Sequence, residues 1–146
     1  MLTNRWKTDT LRKLREERGV SLNKRSVGAG YEARAASWLQ SRGYHVIERN
    51  YYTRYSEIDL IVTDGEVVVF VEVKYRKDAS CGHPEEAVSR NKMRRISRAA
   101  DVFLAARMRG ADCCLRFDVI AIEGDELRHY ADAFPYIPAK CAYGKP

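Results

Sequence analysis

The most regular hydrophobic pattern in the chain flanks Asp64-Gly65. Tyr55 to Thr63 lies on one side, and on the other Glu66 to Tyr75 carries five valines and a phenylalanine. Asp-Gly between two β-forming runs signals a hairpin with a two-residue turn. Upstream, Tyr31, Ala35, Trp38 and Leu39 recur at helical spacing from Gly28 onwards and the run ends at Arg42-Gly43, which predicts an amphipathic helix with a glycine stop. His45-Val46-Ile47-Glu48, within 44–51, predicts a strand. Pro84-Glu85-Glu86 reads as the opening of a helix reaching about Met108, with proline in the first turn and acids at the positive end of the dipole. Leu115 to Ile122 is a further strand, Glu123-Gly124-Asp125 a turn, and Leu127 to Tyr130 a short last strand. The order α-β-β-β-α-β-β predicts an α/β fold, a mixed sheet covered by helices.

The hairpin places charges as well as core. With Asp64-Gly65 as the two turn residues, Thr63 faces Glu66, Ile61 pairs with Val68, Asp59 with Phe70 and Glu57 with Glu72. Alternation then puts Glu57, Asp59 and Ile61 on one face with Val68, Phe70, Glu72 and Lys74. Ile58, Leu60, Val62, Val67, Val69, Val71 and Val73 form the other, wholly apolar face. Asp59 and Glu72 become diagonal neighbours, about 7 to 8 Å apart at Cα. For any one carboxylate, a salt-bridged sheet face washed by solvent is the ordinary reading. As a set, Glu57, Asp59 and Glu72 against Lys74 leave a net charge of about −2 beside Phe70. Two carboxylates at that spacing repel by roughly 2 kcal/mol at an effective dielectric of about 20, and a hard divalent cation would relieve the repulsion.

Two helical residues border this group. Glu32 lies about 20° around the first helix from Leu39, where it is either an ordinary exposed glutamate or an acid within reach of the sheet. On the second helix Val88, Ile96, Ala99, Phe103 and Ala106 align within about 80°, and Lys92 falls inside that stripe. It either snorkels outwards or meets the acids or a phosphate.

Length and composition bound the class. A chain of 146 residues with 45% hydrophobic and 32% charged residues suits a single domain. We expect a basic tail over 1–25, mobile or loosely docked, a domain over 26–136 and a C-terminal tail over 137–146. No apolar run is long enough for a bilayer and no secretory signal opens the chain, so we expect a cytoplasmic protein with no membrane partner. Cys81, Cys113, Cys114 and Cys141 lack metal or disulfide spacing, and His45, His83 and His129 are scattered, so we expect reduced thiols and no zinc site. The net charge is +6. Eight basic residues against three acidic ones precede Val27, and Arg90, Lys92, Arg94, Arg95 and Arg98 form a second basic cluster. Taken alone, such runs are ordinary solvated surface. They also suit a polyanion.

Glu57-Ile58-Asp59-Leu60-Ile61, Val69-Phe70-Val71-Glu72-Val73-Lys74-Tyr75-Arg76 and Arg116-Phe117-Asp118-Val119-Ile120-Ala121 resemble the YraN family of uncharacterised bacterial proteins. That family is similar to the PD-(D/E)XK nucleases, close to Holliday-junction resolvases, and the resemblance runs from about Gly28 to Phe134. It implies a restriction-endonuclease-like mixed β-sheet flanked by helices. It also implies a Mg²⁺- or Mn²⁺-dependent endonuclease acting on DNA rather than RNA, on branched or structured DNA, as a homodimer. Carried over, it makes Asp59 and Glu72 metal ligands, with Glu57 beside them, Lys74 the residue that orients water or stabilises phosphorane charge, and Glu32 an accessory acid. Lys92, Arg90, Arg94, Arg95, Arg98 and Arg76 would contact nucleic acid. Asp118 matches a family motif without an assigned role, and a structural one is expected. The alternative is a non-catalytic nucleic-acid-binding module that retains the fold.

Overall fold

The computed structural model describes residues 28–76, 88–109 and 112–139. The basic segment 1–25, Pro84-Glu85-Glu86, Cys81, Cys141 and the last seven residues, 140–146, lie outside them. Elements follow the expected order: α1 (Gly28–Ser41), β1 (His45–Tyr52), β2 (Glu57–Asp64), β3 (Val67–Arg76), α2 (Arg90–Arg107), β4 (Cys114–Glu123) and β5 (Glu126–Tyr130). The strands form one sheet in the order β1-β2-β3-β4-β5. All neighbours are antiparallel except β3 and β4, which run parallel. A parallel pair needs a crossover, and α2 lies in it. The α/β sheet flanked by helices, consistent with a restriction-endonuclease-like fold, is therefore observed.

Each face of the sheet buries one cluster. Ala35, Ala36 and Leu39 of α1 share a core with Leu60, Val62, Val69, Val71, Ile120 and Ile122. Ile96, Ala99, Ala100 and Phe103 of α2 share the other with Ile61, Val68, Phe70, Phe117 and Val119. Phe70 meets Phe103 edge-on, with centroids 5.9 Å apart, and Phe134 stacks on Phe117 from beyond the last strand. Helix α1 stops where expected. The Tyr44 N–H donates to the Leu39 carbonyl and the Gly43 N–H to the Gln40 carbonyl, with Gly43 at φ 89, a Schellman stop that a residue with a Cβ would strain.

Three local expectations are corrected. First, α2 begins at Arg90 and not at Pro84, because Ser89, in extended backbone, caps the helix by accepting the Lys92 N–H. Val88 precedes the cap and is buried in the same cluster that Met93 packs against, the arrangement of a hydrophobic staple. Second, the hairpin turn is Gly65-Glu66, one position later than Asp64-Gly65, since Asp64 pairs with Val67, Thr63 with Val68 and Ile61 with Phe70. Gly65 has φ 56 and Glu66 is not among the residues with positive φ, the pattern of a turn led by glycine. The register changes by an even number, so the partition of β3 into two faces survives. Third, Ile58 does not join Leu60 and Val62 under α1 but packs in the α2-side cluster. Alternation in β2 therefore breaks at Asp59.

Candidate metal centre

That break coincides with the end of the β2–β3 ladder. The last paired residues are Leu60 and Val71, while β3 continues to Arg76 alongside β4 and β2 continues back to Glu57 alongside β1. The same register, carried one step further, would set Asp59 opposite Glu72. Instead the Asp59 carboxylate enters the gap, and its Oδ2 accepts the Val73 N–H at 2.8 Å. A side chain thus replaces a strand as the partner of a backbone donor. β1 is also distorted here. Asn50 takes a left-handed φ of 52, which asparagine tolerates better than most residues, and its side chain bonds to Glu32.

Because the strands part at this end, acids from different elements converge. Glu32 of α1, Glu57 and Asp59 each offer a carboxylate oxygen, and these oxygens all lie within 4.8 Å of one another. Glu32 thus reaches the sheet, one of the two placements its helical position left open. Glu72, 5% exposed, stands next to them with its own counter-charges: Lys74 Nζ is 2.8 Å from its Oε1, and Lys92 Nζ donates to the same oxygen. Lys92 therefore turns inwards to an acid rather than snorkelling to water.

The protonation of the group follows from this crowding. Burial, then the Glu72 charge, push Asp59 up to about 7; Glu32 adds to the rise, and the Val73 N–H and Lys92 oppose it. Burial also raises Glu32, with help from Glu57 and Glu72, while the Asn50 hydrogen bond and Arg49 pull it down. Burial works against the charge of Lys92, but its hydrogen bond to Glu72, together with the charges of Glu72 and Asp59, outweighs this and holds it above the ordinary lysine value. Closely spaced oxygen donors that resist ionising together are suited to a hard divalent cation.

The comparisons with known proteins fix the family. The profile of the uncharacterised protein family UPF0102 matches residues 31–122. The chain belongs to the UPF0102 family. A UPF0102 protein of Chlorobium chlorochromatii is 47% identical over 118 residues, covering 74% of this chain and 90% of the relative. Those of Chromohalobacter salexigens and Geobacter metallireducens are 44% and 40% identical, covering 68% and 79% of this chain and 80% and 97% of their own lengths. This is the YraN-like family that the strand motifs resemble.

The basic cluster of this UPF0102 chain divides by helical position. Lys92 faces the acids, and Arg98 lays its guanidinium over the Tyr55 ring, 4.8 Å from the centroid. Arg94 is half-buried and donates to Asn91, while Arg90 and Arg95 are exposed. Arg76 closes β3, and its side chain lies outside the described set. Among the described residues no helix is long and apolar enough to cross a membrane. Cys113 and Cys114 are reduced thiols, half-buried and exposed respectively.

Asp118 occupies a different environment on β4. It is fully buried, and Arg116 donates to it through Nε at 2.8 Å and Nη2 at 2.9 Å. His129 Nε2 lies 2.7 Å from Oδ2, and the Asp132 N–H donates to Oδ1 at 2.9 Å. Arg116 extends the network to the Tyr44 hydroxyl and to Asp64. Burial alone would raise Asp118, but the hydrogen bonds from His129, Arg116 and Asp132 outweigh it and hold it below the ordinary aspartate value. Asp118 ties β4, β5 and the segment after β5 together. The network went unread in the sequence, although Arg116 and Asp118 lie two apart on one strand face. Asn50 was missed as well; its signal is an asparagine interrupting a β-forming run.

Proposed function

We propose that this UPF0102 protein is a metal-dependent endonuclease of the PD-(D/E)XK kind, hydrolysing DNA phosphodiester bonds, with branched or structured DNA as its substrate. The observation that carries this reading is the convergence of Glu32, Glu57 and Asp59 at the mouth of a split between two strands, with Glu72 and Lys74 beside them. All the donors are carboxylate oxygens, which fits Mg²⁺ or Mn²⁺. Asp59, Glu57 and Glu32 would hold the ion, and Glu72 would join them on releasing its lysines. A bound ion supplies Lewis-acid polarisation of the phosphate and lowers the pKa of water. Lys74 holds a positive charge beside the acids, where negative charge develops as the phosphodiester is attacked. Asp59 must give up its proton to become a ligand, so ion binding tightens as the pH rises through about 7.

A non-catalytic nucleic-acid-binding module is the second reading. It is favoured by one observation: Glu72 is already neutralised by Lys74 and Lys92. Incubation with supercoiled plasmid and with four-way-junction DNA in Mg²⁺ or Mn²⁺ separates the two. The nuclease reading expects nicking by the wild type that falls by roughly a hundredfold or more in Asp59→Ala and Glu72→Ala, about 3 kcal/mol in barrier. Equal nicking by all three proteins, or none while DNA binding persists, overturns it. Thermal unfolding gives a readout independent of catalysis. Mn²⁺ at about a hundred times its Kd should stabilise the wild type by about 2.7 kcal/mol and leave Asp59→Ala unchanged.

A further inference from the structure

The end of the sheet that gathers the acids also carries aromatic rings that the proposed hydrolysis does not use. Among the described residues the exposed large hydrophobic side chains are Tyr52, Tyr75, Val102 and Tyr136, and the first two both border the acids. Tyr52 ends β1, is the ladder partner of Glu57, and is 64% exposed. Tyr75 lies two residues beyond Val73, the backbone partner of Asp59, and is 40% exposed. Its ring stacks on that of Tyr31, the residue before Glu32, with centroids 3.9 Å apart and planes within 16°. Aromatic surface therefore stands next to Glu57 at the β1 side and next to Glu32 and Asp59 at the α1 side.

The connection between β1 and β2 adds cations. The Thr53 hydroxyl donates to the Ser56 carbonyl at 3.0 Å and accepts the N–H groups of Tyr55 and Ser56 at 3.1 Å each, which uses its one donor and both acceptor sites. The braced loop holds Tyr55 in place. Arg54 and Arg98 both lay their guanidinium groups over the Tyr55 ring, each 4.8 Å from its centroid. Among the described residues the contacts of these two side chains are to Tyr55 and not to a carboxylate. Among the described residues nothing competes with an external anion for their charge.

Rings beside the acids and fixed guanidinium groups at the loop call for a ligand with both flat apolar faces and phosphates. In a duplex the bases stack on one another and offer no free face, so only the phosphates would be used. An unpaired strand offers both, and stacking on tyrosine tolerates any base. We propose that this protein binds a single-stranded segment of nucleic acid across the end of the sheet. The bases rest on Tyr52 and on the Tyr31–Tyr75 pair, the phosphates on Arg54 and Arg98, and the intervening backbone passes over Glu32, Glu57 and Asp59. The inference deepens the nuclease reading of the acids and narrows its substrate to unpaired regions such as flaps, gaps or open branch points.

The test uses the full chain in EDTA, with fluorescence anisotropy of labelled single-stranded DNA and RNA of about 20 nucleotides and of the matching blunt DNA duplex. A single strand of either sugar should bind roughly tenfold tighter than the duplex at equal salt. Tyr52→Ala and Tyr75→Ala should each lose roughly tenfold in single-strand affinity while changing duplex affinity by less than about twofold, and Tyr52→Phe should retain wild-type binding. Arg54→Ala and Arg98→Ala should weaken both ligands and flatten the salt dependence. Duplex binding as tight as single-strand binding overturns the proposal. So does wild-type single-strand affinity in Tyr52→Ala and Tyr75→Ala with unaltered unfolding curves, or absence of binding to every probe. Without metal the readout is independent of cleavage. A failed nicking assay with intact single-strand preference would sink the nuclease reading alone, and nicking without that preference would sink this inference alone.

Discussion

Asp59 and Asp118 are aspartates on neighbouring regions of one sheet, and their surroundings drive them in opposite directions. Asp118 is fully buried, yet it accepts hydrogen bonds from Arg116, His129 and the Asp132 backbone and stays ionised below its ordinary range. Asp59 accepts the Val73 N–H and otherwise sits among acids; burial, then the charges of Glu72 and Glu32, push it up to about 7. Burial opposes ionisation at both positions. The difference lies in the partners. Where donors surround the carboxylate it anchors the fold, and where acids surround it the fold holds a group that a cation would complete.

Substitutions test this contrast most strongly at Asp118. Asp118→Ala leaves Arg116 and His129 facing a buried void and should cost about 3 to 5 kcal/mol in urea unfolding. A loss below about 1 kcal/mol would show that the network is not an anchor, and the comparison would collapse.

An effect of opposite sign is expected at Asp59. Its raised value means that the folded state keeps a proton that the unfolded chain releases, so this stabilisation is complete below about pH 3.8 and is lost as the pH rises through about 7. Asp59→Asn keeps an acceptor for Val73 and removes the titration, so without metal the variant should gain on the wild type steadily between pH 4 and pH 7. Asp118 behaves in reverse. Its lowered value gives stability above about pH 3.8 that disappears as the pH falls through the folded value. Parallel wild-type and Asp59→Asn stability curves across pH 4 to 7 would remove the basis for treating Asp59 as a strained acid.

The mildest change sharpens the Asp118 side. Tyr44→Phe deletes the hydroxyl that accepts from Arg116 at 3.1 Å, at the rim of the network, and should cost about 0.5 to 1.5 kcal/mol. A loss equal to that of Asp118→Ala would mean that Arg116, rather than Asp118, organises the region.

Much of the architecture was legible in the chain because it depends on local periodicity. Valines in β3, the helical spacing of Tyr31, Ala35 and Leu39, and Gly43 as a stop each state their element without reference to the rest. The strand motifs likewise point to the family that the comparisons identify. Boundaries that depend on a cap or a turn were less legible. Ser89 took the start of α2 from Pro84, and Gly65 took the lead position of the turn.

The sequence by itself determined the element order, the two apolar faces and the presence of acids at Glu57, Asp59 and Glu72. Only the tertiary structure decided which acids meet. Pairing rules assume a continuous ladder, and on that assumption Asp59 and Glu72 are diagonal neighbours across two strands. The ladder instead ends at Leu60 and Val71, so Asp59 fills a backbone vacancy, Glu32 arrives from α1, and Lys92 claims Glu72 from α2. Where two strands part is set by what packs on both faces of the sheet, and no window of local sequence contains that information.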